Sequence, residues 1–310
     1  MIDITILGTA ATMPLPERAL SSCLLSCSGN TILFDCGEGT QTAARKAHVS
    51  LMKVSIIALS HMHGDHVFGL PGLLQTMGCL GRTEPLYITG PEGFTDVLKL
   101  LLQLAGPMPY DICALNIPDS GLQLSKVIPG WQEEAMLIPF ATKHRVSSVG
   151  YRFALSRPGK FNPEAAKRLG VPVRQWNTLQ HGEDVWLDDS TLITSDMVLG
   201  PARKGLSFVF SGDTAPCENL ITASRDCDLL LCEATYGEEE NSSQADKFGH
   251  STFAQSAEVA AAAGAKRLLL THFSQMMETP EDCLPNARAI YPGVECACDG
   301  LRITLRFPEN

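Results

Sequence analysis

The densest chemistry in the chain lies in Ser60-His61-Met62-His63-Gly64-Asp65-His66, directly after an apolar run. Three imidazoles and a carboxylate within six residues offer nitrogen and oxygen donors that a compact loop can wrap around an ion, which is the donor set borderline-soft Zn²⁺ accepts. His61 and His63, two positions apart, can face one ion while Asp65 and His66 turn toward a second. A surface histidine cluster would have the same composition, but this run sits between an apolar strand and an apolar helix rather than at a terminus. Two ions need more ligands than the loop holds, and isolated candidates follow other apolar runs. His144 comes after Met136 to Phe140, Asp213 lies in Phe210-Ser211-Gly212-Asp213-Thr214, and His272 follows Leu268-Leu269-Leu270-Thr271. Each alone could equally be a capping or structural residue; their shared place at strand ends makes them a set. A bridging Asp213 and a hydroxide shared between two ions about 3.5 to 4 Å apart would give a nucleophile at neutral pH and stabilise in-line displacement at phosphorus. The cysteines add no comparable site. Cys296-x-Cys298 lacks the spacing of a structural zinc knuckle, and Cys23, Cys79 and Cys227 read as small core residues.

The elements that must position these groups are punctuated by glycine and proline. Ile4 to Leu7, Cys23 to Leu25 and Thr31 to Phe34 read as strands of a meander, and Ser55 to Leu59 as a buried strand leading into the histidine loop. Leu70 to Leu80 and Pro91 to Leu104 carry helical spacing. Strand character returns at Leu206 to Phe210, Leu229 to Cys232, Leu268 to Leu270 and Ile303 to Phe307. A long helix is expected from Ser251 to Ala263, closed by Gly264. Between Arg157 and His181 the texture changes to prolines, glycines and one short helical candidate, Pro163 to Leu169. Residues 157–181 read as an inserted arm in an otherwise single domain spanning 1–310. Residues 157–174 hold Arg157, Lys160, Lys167, Arg168 and Arg174 against Glu164 alone, so a net +4 stands in a chain of −10. A solvated loop that happens to be basic would look the same.

Composition narrows the classes of function. With 45% hydrophobic and 19% charged residues, 310 residues can bury a large core, which excludes a disordered or fibrous chain. The net −10 argues against general adhesion to nucleic acid or anionic lipid and leaves room only for a local basic patch. The longest apolar stretch, Val97 to Ala105, is interrupted by Lys99 and Gln103 and is too short to span a membrane. Eleven cysteines, an odd count without a secretory-type leader, are expected reduced, in a cytoplasmic protein.

The His-x-His-x-Asp-His run resembles the signature of the metallo-β-lactamase fold, an α/β protein built as an αββα sandwich with metals at one edge. The likeness extends through Phe34-Asp-Cys-Gly-Glu-Gly-Thr-Gln41, Leu59 to Leu74, Lys143-His144-Arg145-Val146 with Gly150-Tyr151-Arg152, Phe210-Ser-Gly-Asp-Thr214 and Leu270-Thr-His-Phe-Ser274, and includes Gly8-Thr9 and Pro14 to Arg18. Together these segments resemble the ribonuclease Z family, endonucleases that remove the 3′ trailer from precursor tRNA, and the length is similar to the homodimeric short form. The resemblance implies two zinc ions per chain, one on His61, His63 and His144, the other on Asp65, His66 and His272, with Asp213 bridging. It implies Asp65 as proton acceptor, and Glu233 with His250 as the pair that positions a proton donor for the leaving group. It puts Arg18 and the arm residues Lys160, Lys167, Arg168 and Arg174 on the RNA. Two departures stand out: Cys232 replaces the family histidine in Cys232-Glu233-Ala234-Thr235, and only Gly170-Val171-Pro172 approximates the Gly-Pro motif of the arm. A hydrolase of a small phosphodiester, thioester or sulfate ester on the same fold would suit the acidic charge. A metal-bound RNA-binding module without turnover would use the same ligands.

Overall fold

The computed structural model describes residues 1–188 and 190–308. In chain order its strands are β1 (Ile2–Gly8), β2 (Ser22–Cys27), β3 (Asn30–Phe34), β4 (Val54–Ala58), β5 (Leu86–Thr89), β6 (Ile112–Ala114), β7 (Leu122–Gln123), β8 (Ala135–Ala141), β9 (Val149–Arg157), β10 (Val185–Trp186), β11 (Leu192–Ile193), β12 (Arg203–Phe210), β13 (Leu229–Glu233), β14 (Leu268–Thr271), β15 (Glu295–Cys296) and β16 (Arg302–Leu305). They form two seven-stranded sheets, ordered β16-β1-β2-β3-β4-β5-β6 and β15-β14-β13-β12-β9-β8-β7, with β10 and β11 as a separate hairpin. One face of each sheet meets the other around Phe34, Tyr151, Phe153, Phe208 and Ile4, all fully buried. Helices cover the outer faces, which completes an αββα sandwich of the metallo-β-lactamase type.

The first sheet is covered by α1 (Thr40–Lys46), the short α2 (Gly64–Val67), α3 (Leu70–Cys79) and α4 (Phe94–Ala105). The arm carries α5 (Pro163–Arg168) and α6 (Trp176–Gln180). The second sheet is covered by α7 (Glu218–Ser224), α9 (Phe253–Ala263) and α10 (Leu284–Arg288), with α8 (Ser242–Phe248) at the edge, where Phe248 lines the cleft. The expected helix from Ser251 starts two residues later, because Thr252 accepts from the Gln255 amide while Gln255 returns a bond to the Thr252 amide, a capping box. The helix read from Pro91 starts at Phe94, after Gly93 in the left-handed region at φ 84°. β9 has no counterpart in the sequence reading, although its pattern has period two: Tyr151, Phe153 and Leu155 face the core while Arg152, Ala154 and Ser156 face outward. Cys23 and Cys227 are buried as expected, but Cys79 is exposed at the end of α3, so it is not a core residue.

The chain leaves the second sheet after β9 and rejoins it at β12, which pairs antiparallel with β9. The excursion therefore runs from Pro158 to Ala202 and continues past 181 through the β10–β11 hairpin. It has its own small core of Ala165, Ala166, Val171, Leu179, Val185, Ile193 and Val198. Its root is a close backbone crossing: a Cβ on Gly159 would stand 1.9 Å from the Gly200 carbonyl oxygen, and Gly200 N–H donates to Lys160. The full excursion holds four cations and six carboxylates, because Glu183, Asp184, Asp188, Asp189 and Asp196 follow the basic stretch.

Candidate metal centre

β3 and β4 run parallel, as do β12, β13 and β14, and β8 shares the direction of β12 through the antiparallel β9 between them. The carboxyl ends of six strands therefore reach one edge of the sandwich. Asp35 follows β3, His61 to His66 follow β4, His144 follows β8, Asp213 follows β12, Glu233 ends β13 and His272 follows β14. The parallel strands are buried and largely apolar, so the polar residues at and just beyond their ends are delivered to this edge. Asp35 and His272 sit in the left-handed region at φ 56° and 60°, a strained conformation concentrated where side chains are aimed at a shared centre.

All seven residues read as ligands converge. His61 Nε2 stands 2.9 Å from His63 Nδ1 and 3.6 Å from Asp213 Oδ2, and His144 Nε2 stands 3.3 Å from His63 Nδ1. On the other side His66 Nε2 lies 3.2 Å from His272 Nε2, both are 3.6 Å from Asp65 Oδ2, and His272 Nε2 is 3.3 Å from Asp213 Oδ1. Ions bound tetrahedrally at 2.0–2.1 Å by nitrogen or oxygen would hold their ligands about 3.3 Å apart, so these spacings fit such ions. Asp213 turns one oxygen to His272 and the other to His61 and His66, which is the posture of a bridge. His61, His66, His272 and Asp213 are buried, while His63, Asp65 and His144 are half-buried and face the cleft.

Behind the donors stands a set of groups that fixes each ring. Ser60 Oγ meets His61 Nδ1 at 3.0 Å, Gly249 O accepts from His144 Nδ1 at 2.8 Å, and Thr235 Oγ1 meets His272 Nδ1 at 2.9 Å. Asp35, fully buried, accepts from Ser60 N–H (2.6 Å), Ser60 O–H (2.8 Å) and His66 Nδ1 (2.6 Å). Such contacts select the tautomer whose other nitrogen faces the metal. Burial, with His66 beside it, pulls the His61 pKa down to about 2, so its lone pair is free; burial lowers His63 and His144 in the same direction. Burial pushes Asp65 and Asp213 upward, but the imidazoles around them win and hold both carboxyls well below the usual carboxylate range. Burial opposes a charge on His66 too, yet Asp213 and Asp35 raise its pKa well above the ordinary value. A buried group of carboxylates this dense demands positive charge at the centre, which divalent cations supply.

Glu233 and His250 form the second layer. Glu233 is buried and saturated: Oε1 accepts from Thr214 N–H and His250 Nδ1 (2.9 and 2.8 Å), Oε2 from Thr235 N–H and O–H (3.0 and 2.9 Å) and from Ser251 N–H (3.2 Å). It lies under the site, whereas His250 reaches the cleft. Burial would lower the His250 pKa, but Glu233 raises it to about 9, so the ring carries a proton at neutral pH. Cys232 points the other way, into the apolar layer beneath α9, so its exchange for histidine leaves the Glu233–His250 contact intact.

The cleft over these donors has a volume of about 600 Å³. Three residues that the sequence reading assigned no site role shape its mouth. Phe68 is 66% exposed, and its ring lies so close over Gly64 that a Cβ there would stand 2.3 Å from it. Across the cleft the Arg145 guanidinium stacks 5.4 Å from the Phe248 ring centre. The signals were an aromatic two residues beyond the ligand loop and a cation beside a ligand. Arg18, expected on substrate, instead donates to the Met277 carbonyl and does not line the cleft. Lys160, Lys167, Arg168 and Arg174 are exposed on the arm, and Lys167 pairs with Glu164 at 2.9 Å.

Comparisons with known proteins agree with this geometry. A family model described as "Beta-lactamase superfamily domain" matches residues 164–273, and one described as "Anti-Pycsar protein Apyc1" matches residues 2–98. Proteins named ribonuclease Z from Agathobacter rectalis and Clostridioides difficile are 39% and 37% identical over 312 and 310 residues, covering 100% of both chains in each case. Among solved structures, human tRNase Z, short form, superposes with a TM-score of 0.66 at 26% identity, over 98% of this chain and 100% of that one. A metallo-beta-lactamase fold protein from Bacillus subtilis superposes at 0.68 with 20% identity over 97% and 98%, a likeness of fold.

Proposed function

This chain belongs to the ribonuclease Z family, and we propose that it holds two zinc ions and uses them to cut the 3′ trailer from precursor tRNA. The observation that carries the reading is the meeting of seven donors from separate strand ends at ligand spacing, with Asp213 turned to both halves. His61, His63 and His144 would hold one ion, Asp65, His66 and His272 the other. Bound there, the ions would neutralise the phosphoryl oxygens and supply a nucleophile from water at neutral pH. Asp65, half-buried at the cleft and steadied by the Thr12 N–H at 2.8 Å, accepts the proton of the attacking water. His250 gives a proton to the leaving oxygen, while Glu233 orients that ring and, through Thr235, His272. Phe68 on one wall and the Arg145–Phe248 stack on the other offer faces for unpaired bases beside the scissile phosphate.

The arm, 158–202, grips the body of the tRNA through Lys160, Lys167, Arg168 and Arg174. Its root lies at the end of β9 and β12 away from the metals, which supports a homodimer in which an arm serves the partner's cleft. Eleven unpaired cysteines, and no helix among the described residues long and apolar enough to cross a membrane, suit a cytoplasmic enzyme. Cleavage of a precursor tRNA measured beside hydrolysis of a chromogenic phosphodiester, with zinc counted in the same sample, tests the function. The precursor is cut at the trailer junction with two zinc ions per chain. Hydrolysis of the small diester without any cutting of the precursor overturns the RNA reading in favour of a small-ester hydrolase.

A further inference from the structure

Positive charge is gathered in a second place, remote from the metals. Arg152, Arg157, Arg203, Lys204 and Arg225 line one hollow of about 670 Å³ on the outer face of β9 and β12, with Asp226 as the one carboxylate among the described residues. An adjoining hollow shares Arg203 and adds Lys160 and His181. Among the described residues, the ion pairs of lysine and arginine involve Lys99, Lys143, Lys167, Lys266 and Arg267, and none of the six cations of the hollows. Three of the six are held in place by carbonyls instead. Arg152 donates to Ala223 and Arg225 at the end of α7 (2.6 and 3.1 Å), Arg157 to Pro308 (3.1 Å) and Arg203 to Pro158 (2.9 Å). Carbonyl anchors fix a guanidinium without neutralising it and leave its other N–H groups free for an anion.

Unpaired cations packed side by side repel one another, and in a chain of net −10 their grouping calls for a polyanion. We propose that this hollow docks the sugar-phosphate backbone of the RNA's folded body, a reading that rests on the RNA function proposed above. Its place supports a stem rather than a nucleotide. β12 starts at Arg203 in the hollow and ends three residues before Asp213, so at about 3.3 Å per residue Arg203 and Lys204 stand roughly 30 Å from the metals, while Arg152, opposite Val209, lies nearer. A mono- or dinucleotide at the metals cannot reach Arg203 and Lys204; a folded RNA can. The six cations contact phosphates and so set position and register, not sequence. The arm alone carries more carboxylates than cations, whereas among the described residues the charged groups lining the hollow at its root are cations except for Asp226.

The test uses Lys204 and Arg225, both exposed and outside the catalytic machinery. In the full-length zinc enzyme, the double variant Lys204→Gln/Arg225→Gln raises the Kd for precursor tRNA about ten-fold or more. It lowers the magnitude of the salt slope by roughly 0.7 to 0.9 for each phosphate that the variant no longer neutralises. Hydrolysis of a chromogenic phosphodiester, and cutting of a short single-stranded RNA bearing the junction, stay unchanged. Asp226→Asn moves binding the opposite way and tightens it. Lys204→Arg with Arg225→Lys keeps wild-type affinity. A double variant that binds precursor tRNA with unchanged Kd and slope, beside a wild type that cuts it, overturns the docking site alone. Tight binding of inorganic pyrophosphate to the hollow with precursor KM unchanged in the double variant also overturns it, in favour of a small-anion site. A wild type that never cuts precursor tRNA overturns the function reading, and the docking site with it.

Discussion

Asp35→Asn isolates what the buried carboxylate behind His66 contributes. The native carboxylate receives three hydrogen bonds at 2.6 to 2.8 Å, from Ser60 N–H, Ser60 O–H and His66 Nδ1. Asparagine keeps the size and tolerates the left-handed backbone at φ 56°, so the strand end is not strained anew. Its oxygen can still accept from Ser60. The amide NH₂ then faces His66 Nδ1, where donor meets donor, and the ring relieves the clash by moving its proton to Nε2, the nitrogen aimed at His272 and Asp65. Loss of a second-layer partner of this kind costs about 10- to 100-fold in metal affinity, or about 1.4 to 2.8 kcal/mol. Competition against a fluorescent zinc chelator should show one of two sites weakened by that factor, with the site on His61, His63 and His144 nearly unaffected. Asp35→Ala is the poorer probe, because it strands three buried donors at about 1–3 kcal/mol each and threatens the fold itself. Unchanged zinc affinity at both sites in Asp35→Asn, with the protein folded, would refute the orienting role.

Asp213→Ala, which removes the group shared by both halves of the cluster, should cost both zinc ions in elemental analysis; loss of only one would show that the bridge is misassigned. Asp65→Asn removes most of the basicity, and kcat on precursor tRNA should fall by about 10²- to 10⁴-fold with metal content measured alongside; near-normal turnover at full metal loading argues against proton acceptance there. His250→Ala should slow precursor tRNA far more than a p-nitrophenyl phosphodiester, whose leaving group needs no proton, so equal losses on both substrates would contradict the donor role. Replacing 158–202 by a Gly/Ser linker should abolish precursor cleavage while small-diester hydrolysis persists; the cut must include the hairpin, because ending it at 181 strands Val185, Ile193 and Val198 without their core. Normal precursor processing by that protein would show that the arm does not grip the RNA.

The sequence alone determined the centre of this protein to an unusual degree, and the reason is local. His61 to His66 are four donors in one loop, and His144, Asp213 and His272 each stand just past an apolar run, a position that parallel strands convert directly into a common edge. The mixture of strands and helices followed from the same runs, and the αββα sandwich from the resemblance that the histidine run carries. What only the tertiary structure decided were contacts between residues far apart in the chain. Asp35 sits 31 positions from His66, and nothing local distinguishes it from a turn residue. Glu233, expected beside His250, is a buried hub with five hydrogen bonds, and Cys232 points away from that pair, because strand alternation sends the two side chains to opposite faces. Arg18 is spent on the carbonyl of Met277, 259 residues away. Charge told the same story: a window of 18 residues made the arm look basic, whereas the hollow of Arg152, Arg203, Lys204 and Arg225 exists only because β9, β12 and the end of α7 are neighbours. Donors read from local spacing come together in the fold; electrostatic surfaces are sums over distant segments, and the chain order does not show them.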